Sequence, residues 1–349
     1  MLTAVAGAPG SPAAWVEYCT RCGRAWALTD RRWRCACGGL LDLVGPPGDT
    51  PSWATWGEDP TPLRPVTPGL WLKMEQVLPT GSFKARGAAA MIGLAAELGE
   101  SRVVVDSSGN AGRAVAAYGA RAGLETTVFV PDPTAADKVQ AIRDLGATVV
   151  AVPGGRSAAA AAAIEAVGPS EAGRPPWYAS HVYQPAFHLG IKALAFELHE
   201  RLPDSLRAVV VPAGNGTLVI GLWLGFRELA ATGRLARLPR IIAVQSERCA
   251  PLAGVAPSGP TAAVGIAIPA PPRAGAVRAA VLASRGRVLM AAEDDLLPAQ
   301  ASLAAMGLEV EPTAAAVWAA WRLGRGPVDG GGPDRGPDGG DTVLVLTGR

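Results

Sequence analysis

An excess of charge of either sign is the first thing missing. Lys+Arg totals 32 against 30 Asp+Glu, a formal net charge of +2 over 349 residues. No basic block stands out, so nucleic-acid binding has no electrostatic support. No uninterrupted apolar run reaches the roughly 18 residues that a membrane-spanning helix needs, so no membrane contact is expected. The opening MLTAVAGAPGSPAAW has no charged leader ahead of an apolar core. A signal peptide is therefore not expected, and a cytoplasmic location is. Internal repeats are also lacking. What remains is a globular balance, 49% hydrophobic and 18% charged, with material for about two domains around a large core.

Cysteine is sparse but unevenly placed. Of the five, Cys19, Cys22, Cys35 and Cys37 fall within 19 residues of sequence in the spacing C-x2-C-x12-C-x-C. Two close pairs separated by a short loop place four sulfurs around a tetrahedral Zn²⁺. Four reduced thiols in a metal-free knuckle is the other reading, and disulfides are disfavoured because nothing indicates secretion. With every position filled by protein, such a metal is structural. Cys249 reads as a small buried hydrophobe.

Residues 46–70 are rich in Pro and Gly and read as a linker. Beyond them, short Val-rich runs alternate with helical patterns. Strands are expected at 102–106, 126–131, 148–153, 208–212 and 241–245, and helices at 111–123, 135–146, 156–167 and 218–231. That alternation implies parallel strands with crossover helices, an α/β fold. The stretch 326–341 is low in complexity and reads as a mobile surface loop.

In such sheets ligands sit beyond the carboxyl ends of the strands. Two strand–loop–helix junctions qualify. DSSGNAG (106–112) offers hydroxyls and backbone N–H groups at a helix start, suited to a carboxylate. PAGNGTLV (212–219) lets the backbone approach a phosphate. It lacks the lysine of a P-loop and the full G-x-G-x-x-G of a dinucleotide fold. Each is also readable as a plain helix-start turn. Lys84, in PTGSFKARGA, is either a surface cation opening a helix or a fixed nucleophile. A lysine, a phosphate site and a carboxylate site are the three requirements of pyridoxal 5′-phosphate acting on an amino acid.

TGSFKARGA, SSGNAGRAVAAYGARAGL, VPAGNGTLV, VEPTAAAV and LTG resemble, in order, the landmarks of fold-type II pyridoxal-phosphate enzymes. The whole is most similar to the threonine synthase family, which often begins with a cysteine ribbon ending as CACGGLLD does here. The resemblance implies a tryptophan synthase beta-like fold of two three-layer lobes behind a zinc-ribbon-like cysteine module. The module takes 1–45, a large lobe takes 46–89 with 191–349, and a small lobe takes 90–190. It further implies roles. Lys84 is the Schiff-base lysine, and Asn110 bonds the cofactor's phenolic oxygen. Gly214, Asn215, Gly216, Thr217 and Leu218 hold its phosphate, and Thr347 faces its ring nitrogen. Ser107, Ser108, Gly109 and Ala111 receive the substrate carboxylate. Enzymes of this kind are commonly homodimers acting on small amino acids, although nothing in the sequence marks an interface.

Three readings of the activity stay open. A threonine synthase converts O-phosphohomoserine to threonine and needs a second phosphate site. The ribbon and the order of landmarks favour it. A threonine or serine ammonia-lyase is favoured by Ala85, where synthases usually read F-K-D-R-G. It is also favoured by QPAFHLG (184–190), which has His188 near the arginine of a synthase segment resembling N-P-x-R-L-E-G. Arg86, His188, Lys192 and Arg113 are the nearby cations by sequence, and His188 is the candidate substrate ligand. A cofactor-binding homologue with little turnover is the third, motivated by the short segment after Thr347. The balance favours the synthase.

Overall fold

The structure is a computed structural model and describes residues 11–46, 51–169, 173–322 and 339–349. Most of the low-complexity stretch at 326–341 therefore lies outside the described residues. The cysteine region forms β1 (Val16–Cys19), β2 (Ala25–Ala27) and β3 (Leu41–Val44), followed by β4 (Leu63–Thr67), β5 (Leu70–Met74) and helix α1 (Lys84–Glu97). Alternation then sets in: β6 (Arg102–Asp106), α2 (Asn110–Arg121), β7 (Glu125–Asp132), α3 (Ala136–Arg143), β8 (Thr148–Pro153), α4 (Arg156–Ala166), β9 (Trp177–Tyr178) and α5 (Ala186–Arg201). The rest is β10 (Leu206–Pro212), α6 (Thr217–Ala231), β11 (Arg240–Ser246), α7 (Ala274–Ala283), β12 (Val288–Ala291), α8 (Glu293–Ala305), α9 (Pro312–Arg322) and β13 (Asp341–Leu346).

Two compact units emerge. The first takes residues 1–58 and 84–190, the second 59–83 and 191–349. In the first, β8-β7-β6-β9 form a parallel sheet, and the antiparallel β2-β1-β3 sheet carries Cys19 at the end of β1 with Cys22, Cys35 and Cys37 in its connections. Strand β7 alternates buried and solvent-facing positions, as a sheet packed harder on one face requires. Trp15, Leu28, Trp53, Leu94 and Leu189 form one apolar cluster that fastens the cysteine region to α1. The Pro- and Gly-rich stretch is a linker only in composition. Over 51–58 it is anchored, with Trp53 buried, Trp56 Nε1 donating to Ala89 O at 3.0 Å and Glu58 accepting from the Tyr118 hydroxyl at 2.6 Å.

The second unit holds a six-stranded sheet in the order β12-β11-β10-β13-β5-β4, parallel except for β4. Strand β10 reads LRAVVVP and is almost wholly buried, the pattern of a strand covered on both faces. Ala208 and Val210 pack with Trp318 and Trp321 of α9. Val209 and Val211 alternate to the opposite face. Among the described residues no helix is long and apolar enough to cross a membrane.

Helix α1 approaches its neighbours through glycines. A Cβ at Gly93 would lie 2.0 Å from the carbonyl oxygen of Trp53, a backbone atom with nowhere to move. Gly93→Ala should therefore destabilise the protein by roughly 1–3 kcal/mol, read as a lower Tm in thermal unfolding. An unchanged Tm would refute so close an approach.

Candidate active site

In the second unit, adjacent parallel strands β10 and β13 end side by side, and each end carries sequence-predicted residues. After β10 the chain runs through Gly214, Asn215 and Gly216 into α6, which opens at Thr217 and Leu218. Gly216 caps the helix with φ +80°, the left-handed region that glycine enters without strain. A Cβ there would meet Val277 Cγ2 at 2.1 Å, and one at Gly214 would meet the Gly265 carbonyl at 2.7 Å. The loop thus lies so deep that only backbone fits, with N–H groups at the positive end of α6. Gln245 braces it by donating to Ala213 O at 3.0 Å while accepting from Leu252 N–H at 2.8 Å.

Beyond the neighbouring β13, Thr347 is 2% exposed and its Oγ1 has no hydrogen-bond partner in the protein. The segment before Lys84 is sewn to this strand end. Phe83 N–H donates to Thr347 O at 3.0 Å, Arg349 N–H to Gly81 O at 3.1 Å, and Ser82 bridges Gly348. The Ser82 hydroxyl is likewise buried and unpartnered. Lys84 is the next residue along the chain after Phe83 and opens α1, with its side chain half-buried.

In the first unit, β6 ends at Asp106, and Ser107, Ser108 and Gly109 lead directly into α2 at Asn110 and Ala111. Gly109 caps the helix, and its N–H donates to Ser107 Oγ at 3.3 Å. A Cβ at Gly112 would lie 1.9 Å from the Ser107 carbonyl, so the helix start is folded tightly onto the serines. The first residues of α1 and α2, Lys84 and Asn110, both lie on helices that pack together. Asp106 accepts from the Tyr178 hydroxyl at 2.7 Å, and burial pushes its carboxyl above the usual range despite that bond.

His181 is a neighbour that sequence reasoning missed. Burial and then the positive charge of Lys84, with a lesser contribution from Arg156, pull its imidazole down to about 3. Its ring meets Phe187 edge-on at 5.9 Å. Phe187 in turn packs on Gly87 of α1, where a Cβ would come within 2.5 Å of the ring. His188, the next residue, is buried inside α5. Of the other cations near in sequence, Lys192 pairs with Glu228 at 2.7 Å, and Arg113 is exposed on α2. Gln245 was overlooked as well; a glutamine closing the apolar run IIAVQ was the available signal, because a polar group there must find a partner.

The four clustered cysteines come together. Their Sγ atoms all lie within 4.8 Å of one another, with Cys19–Cys37 at 3.5 Å and Cys22–Cys35 at 3.7 Å. A Cβ at Gly39 would fall 2.4 Å from Cys19 Sγ. A bond from the Cys37 backbone N–H, reinforced by the other thiols, draws the Cys35 thiol down to about 6 against the effect of burial. Cys249 is buried apart from this group.

Residues 55–348 match the family described as pyridoxal-phosphate dependent enzyme. The threonine synthase of Synechocystis sp. is 31% identical over 334 residues, covering 91% of this chain and 83% of that protein. The threonine synthase of Methanosarcina acetivorans is 31% identical over 263 residues, covering 71% of this chain but only 63% of that protein's length. Among solved structures, that of maize serine racemase superposes with a TM-score of 0.68 at 21% identity, covering 83% of this chain and 88% of that one. At that identity the likeness is one of fold. Because the family match runs through both units and takes in Lys84, Thr347 and the loops at 106–112 and 212–219, this chain belongs to the pyridoxal-phosphate dependent enzymes of fold type II and is threonine synthase-like.

Proposed function

We propose that this protein performs elimination and replacement on an amino acid, converting O-phosphohomoserine to threonine with pyridoxal 5′-phosphate. The observation that carries the reading is the likeness to a threonine synthase over 91% of the chain. The residues present fit the cofactor. The backbone of Gly214–Leu218 at the start of α6 suits a phosphate, and the unpartnered Thr347 Oγ1 on the next strand end suits a ring nitrogen. Pyridoxal phosphate, when bound, supplies an aldehyde that captures an amine and a ring that draws electrons from the substrate's α carbon.

The chain's own groups then divide the work. Lys84 Nζ holds the cofactor between turnovers and takes the proton from the substrate's α carbon. Ser107, Ser108 and the backbone of Gly109 and Ala111 fix the substrate carboxylate, so that the α C–H faces that amine. Asn110 donates to the cofactor's phenolic oxygen. A neutral threonine hydroxyl stabilises a protonated ring nitrogen less than a carboxylate does, which suits departure of a leaving group at the β or γ carbon. The four sulfurs fit a structural Zn²⁺, since Zn–S bonds of about 2.3 Å in a tetrahedron separate sulfurs by about 3.8 Å. A cytoplasmic location and a homodimer belong to the same reading.

A second reading, ammonia-lyase action on threonine or serine, is favoured by one feature. In register with N-P-x-R-L-E-G, residues 184–190 put Phe187 at the arginine, and that ring is wholly buried. His188 then remains the candidate ligand for a second phosphate. Assays on O-phosphohomoserine, threonine and serine side by side separate the two. Inorganic phosphate from the first supports the synthase; ammonia and 2-oxobutyrate from threonine, without phosphate release, turn the assignment to the lyase.

Lys84→Ala should abolish the absorbance band of the lysine-bound cofactor and lower kcat at least about 10³-fold. Retention of both would remove Lys84 from the site. Gly216→Ala should weaken cofactor retention about tenfold or more, measured by dialysis and absorbance, because the new methyl meets Val277 in a left-handed turn. The pH dependence follows from His181. Its folded value of about 3 lies below the ordinary 6.5, so between those values the unfolded chain binds the extra proton. Stability should therefore fall as pH drops from 6.5 towards 3, with a slope of no more than about 1.4 kcal/mol per pH unit because a single proton is involved. His181→Gln should flatten that slope in denaturant titrations at several pH values; an unaltered slope would refute a neutral His181.

A further inference from the structure

The loop that carries Cys35 and Cys37 does more than close the knuckle. Trp33, two residues before Cys35, packs edge-on against Tyr178 at 5.3 Å and Tyr183 at 5.2 Å, while the Arg34 guanidinium lies 5.7 Å from the Tyr183 ring centre. Trp33 also joins the apolar cluster of Val104, Ala163 and Tyr178 that lies against β6. The Tyr178 hydroxyl donates to Asp106 Oδ1 at 2.7 Å, at the carboxyl end of that strand. The other end is gripped as well. Arg31 bonds both oxygens of Glu100 at 2.6 and 2.8 Å, just before β6 begins, and Arg174 bonds one of them at 2.6 Å. Within the loop, Cys35 N–H donates to Gly39 O at 3.0 Å and Arg34 Nε to Gly38 O at 2.9 Å. The loop that leads into Cys35 thus reaches both ends of β6, through Arg31 on Glu100 and through Trp33 on Tyr178.

We propose that the four-cysteine knuckle is a positioning element for substrate binding. With Zn²⁺ held by its sulfurs, it presses Trp33 onto Tyr178, and Tyr178 fixes Asp106 at the root of the Ser107–Asn110 loop. The inference rests on the reading of that loop as the site of the substrate carboxylate. The clamp bears on Asp106 because that side chain is half-buried and bonded to Tyr178. Its carboxyl is held in one direction by the tyrosine, and any slack there passes along the next peptide into Ser107. Metal binding organises ligand loops because the ligands are scattered when it is absent. Two elements joined by such a chain of contacts should show an interaction energy, which a double-mutant cycle measures.

The test uses the full-length protein loaded with cofactor, with Zn²⁺ either bound at one equivalent or removed by dialysis against a chelator. Amino-acid affinity is read from the change in cofactor absorbance on titration with O-phosphohomoserine, threonine or serine, which needs no turnover. In the wild type, removing Zn²⁺ should weaken amino-acid binding about 5- to 20-fold and leave cofactor absorbance in place. Tyr178→Phe, which deletes only the hydroxyl, should weaken it by a similar factor with Zn²⁺ bound, raising KM while kcat changes less than about twofold. In Tyr178→Phe, removing Zn²⁺ should then cost less than about twofold more. Trp33→Leu should behave as Tyr178→Phe does while still retaining one equivalent of Zn²⁺. Independent, multiplying effects of Zn²⁺ removal and Tyr178→Phe would overturn the proposal, as would unchanged affinity on Zn²⁺ removal or a protein that takes up no Zn²⁺. A wild type whose absorbance answers to no amino acid would overturn the site reading together with the inference; a responsive wild type with independent effects overturns the inference alone.

Discussion

The hydrogen bond from Phe83 N–H to Thr347 O, with the Ser82–Gly348 bridge beside it, fixes the backbone that leads into Lys84, and the proposed function depends on that residue. It ties the entry to α1 to the end of β13. That strand lies in register beside β10, whose loop carries the glycines. A flexible lysine is useful to chemistry only if its backbone is fixed, because the side chain alone has several rotatable bonds. Here the backbone immediately before Lys84 is held by an isolated bridge to the residues just past β13 rather than left as a free turn. The same contact presents the Thr347 hydroxyl, which the protein leaves without a partner. An orphaned buried hydroxyl is costly, and a bound group that accepts its hydrogen bond removes the cost.

Close approach is the second recurring device. Gly87 faces Phe187, Gly93 faces Trp53 O, Gly112 faces Ser107 O and Gly216 faces Val277. In each case the missing Cβ lets a helix or loop come closer than any other residue allows. The two helix starts read as functional, α2 and α6, both follow parallel strands and both use glycine caps. Such a cap leaves the first N–H groups of the helix pointing outwards, available to an anion.

Several charged groups taken from water are paired with an opposite charge. Lys73 lies in a buried ion pair with Glu197, Lys192 with Glu228, and Glu100 with two arginines. Lys84, half-buried at the start of α1, instead has a neutral histidine as a neighbour. His181 remains uncharged because burial and the Lys84 ammonium both oppose its protonation. The imidazole thus adds no third positive charge to Lys84 and Arg86 at the start of α1.

Much of the alternating core was legible from short Val-rich runs and Gly-punctuated helices, because parallel strands buried on both faces have a compositional signature that local sequence carries. The cysteine spacing likewise implied that four sulfurs would meet, since two tight pairs on one hairpin-like module have few other arrangements. Strand β5, with its lysine, and β13, next to a low-complexity stretch, lacked such a signature and were not foreseen. The positions of His181, Phe187 and Gln245 came only from the folded chain. Each acts through residues distant in sequence, at Lys84, Gly87 and Ala213, and no local pattern encodes a contact between segments that the fold alone brings together. Residue types and their order along the chain determined the chemistry this protein is built for. Tertiary packing decided which side chains surround the lysine and how the cysteine loop bears on β6, because those depend on distances that only a closed core sets.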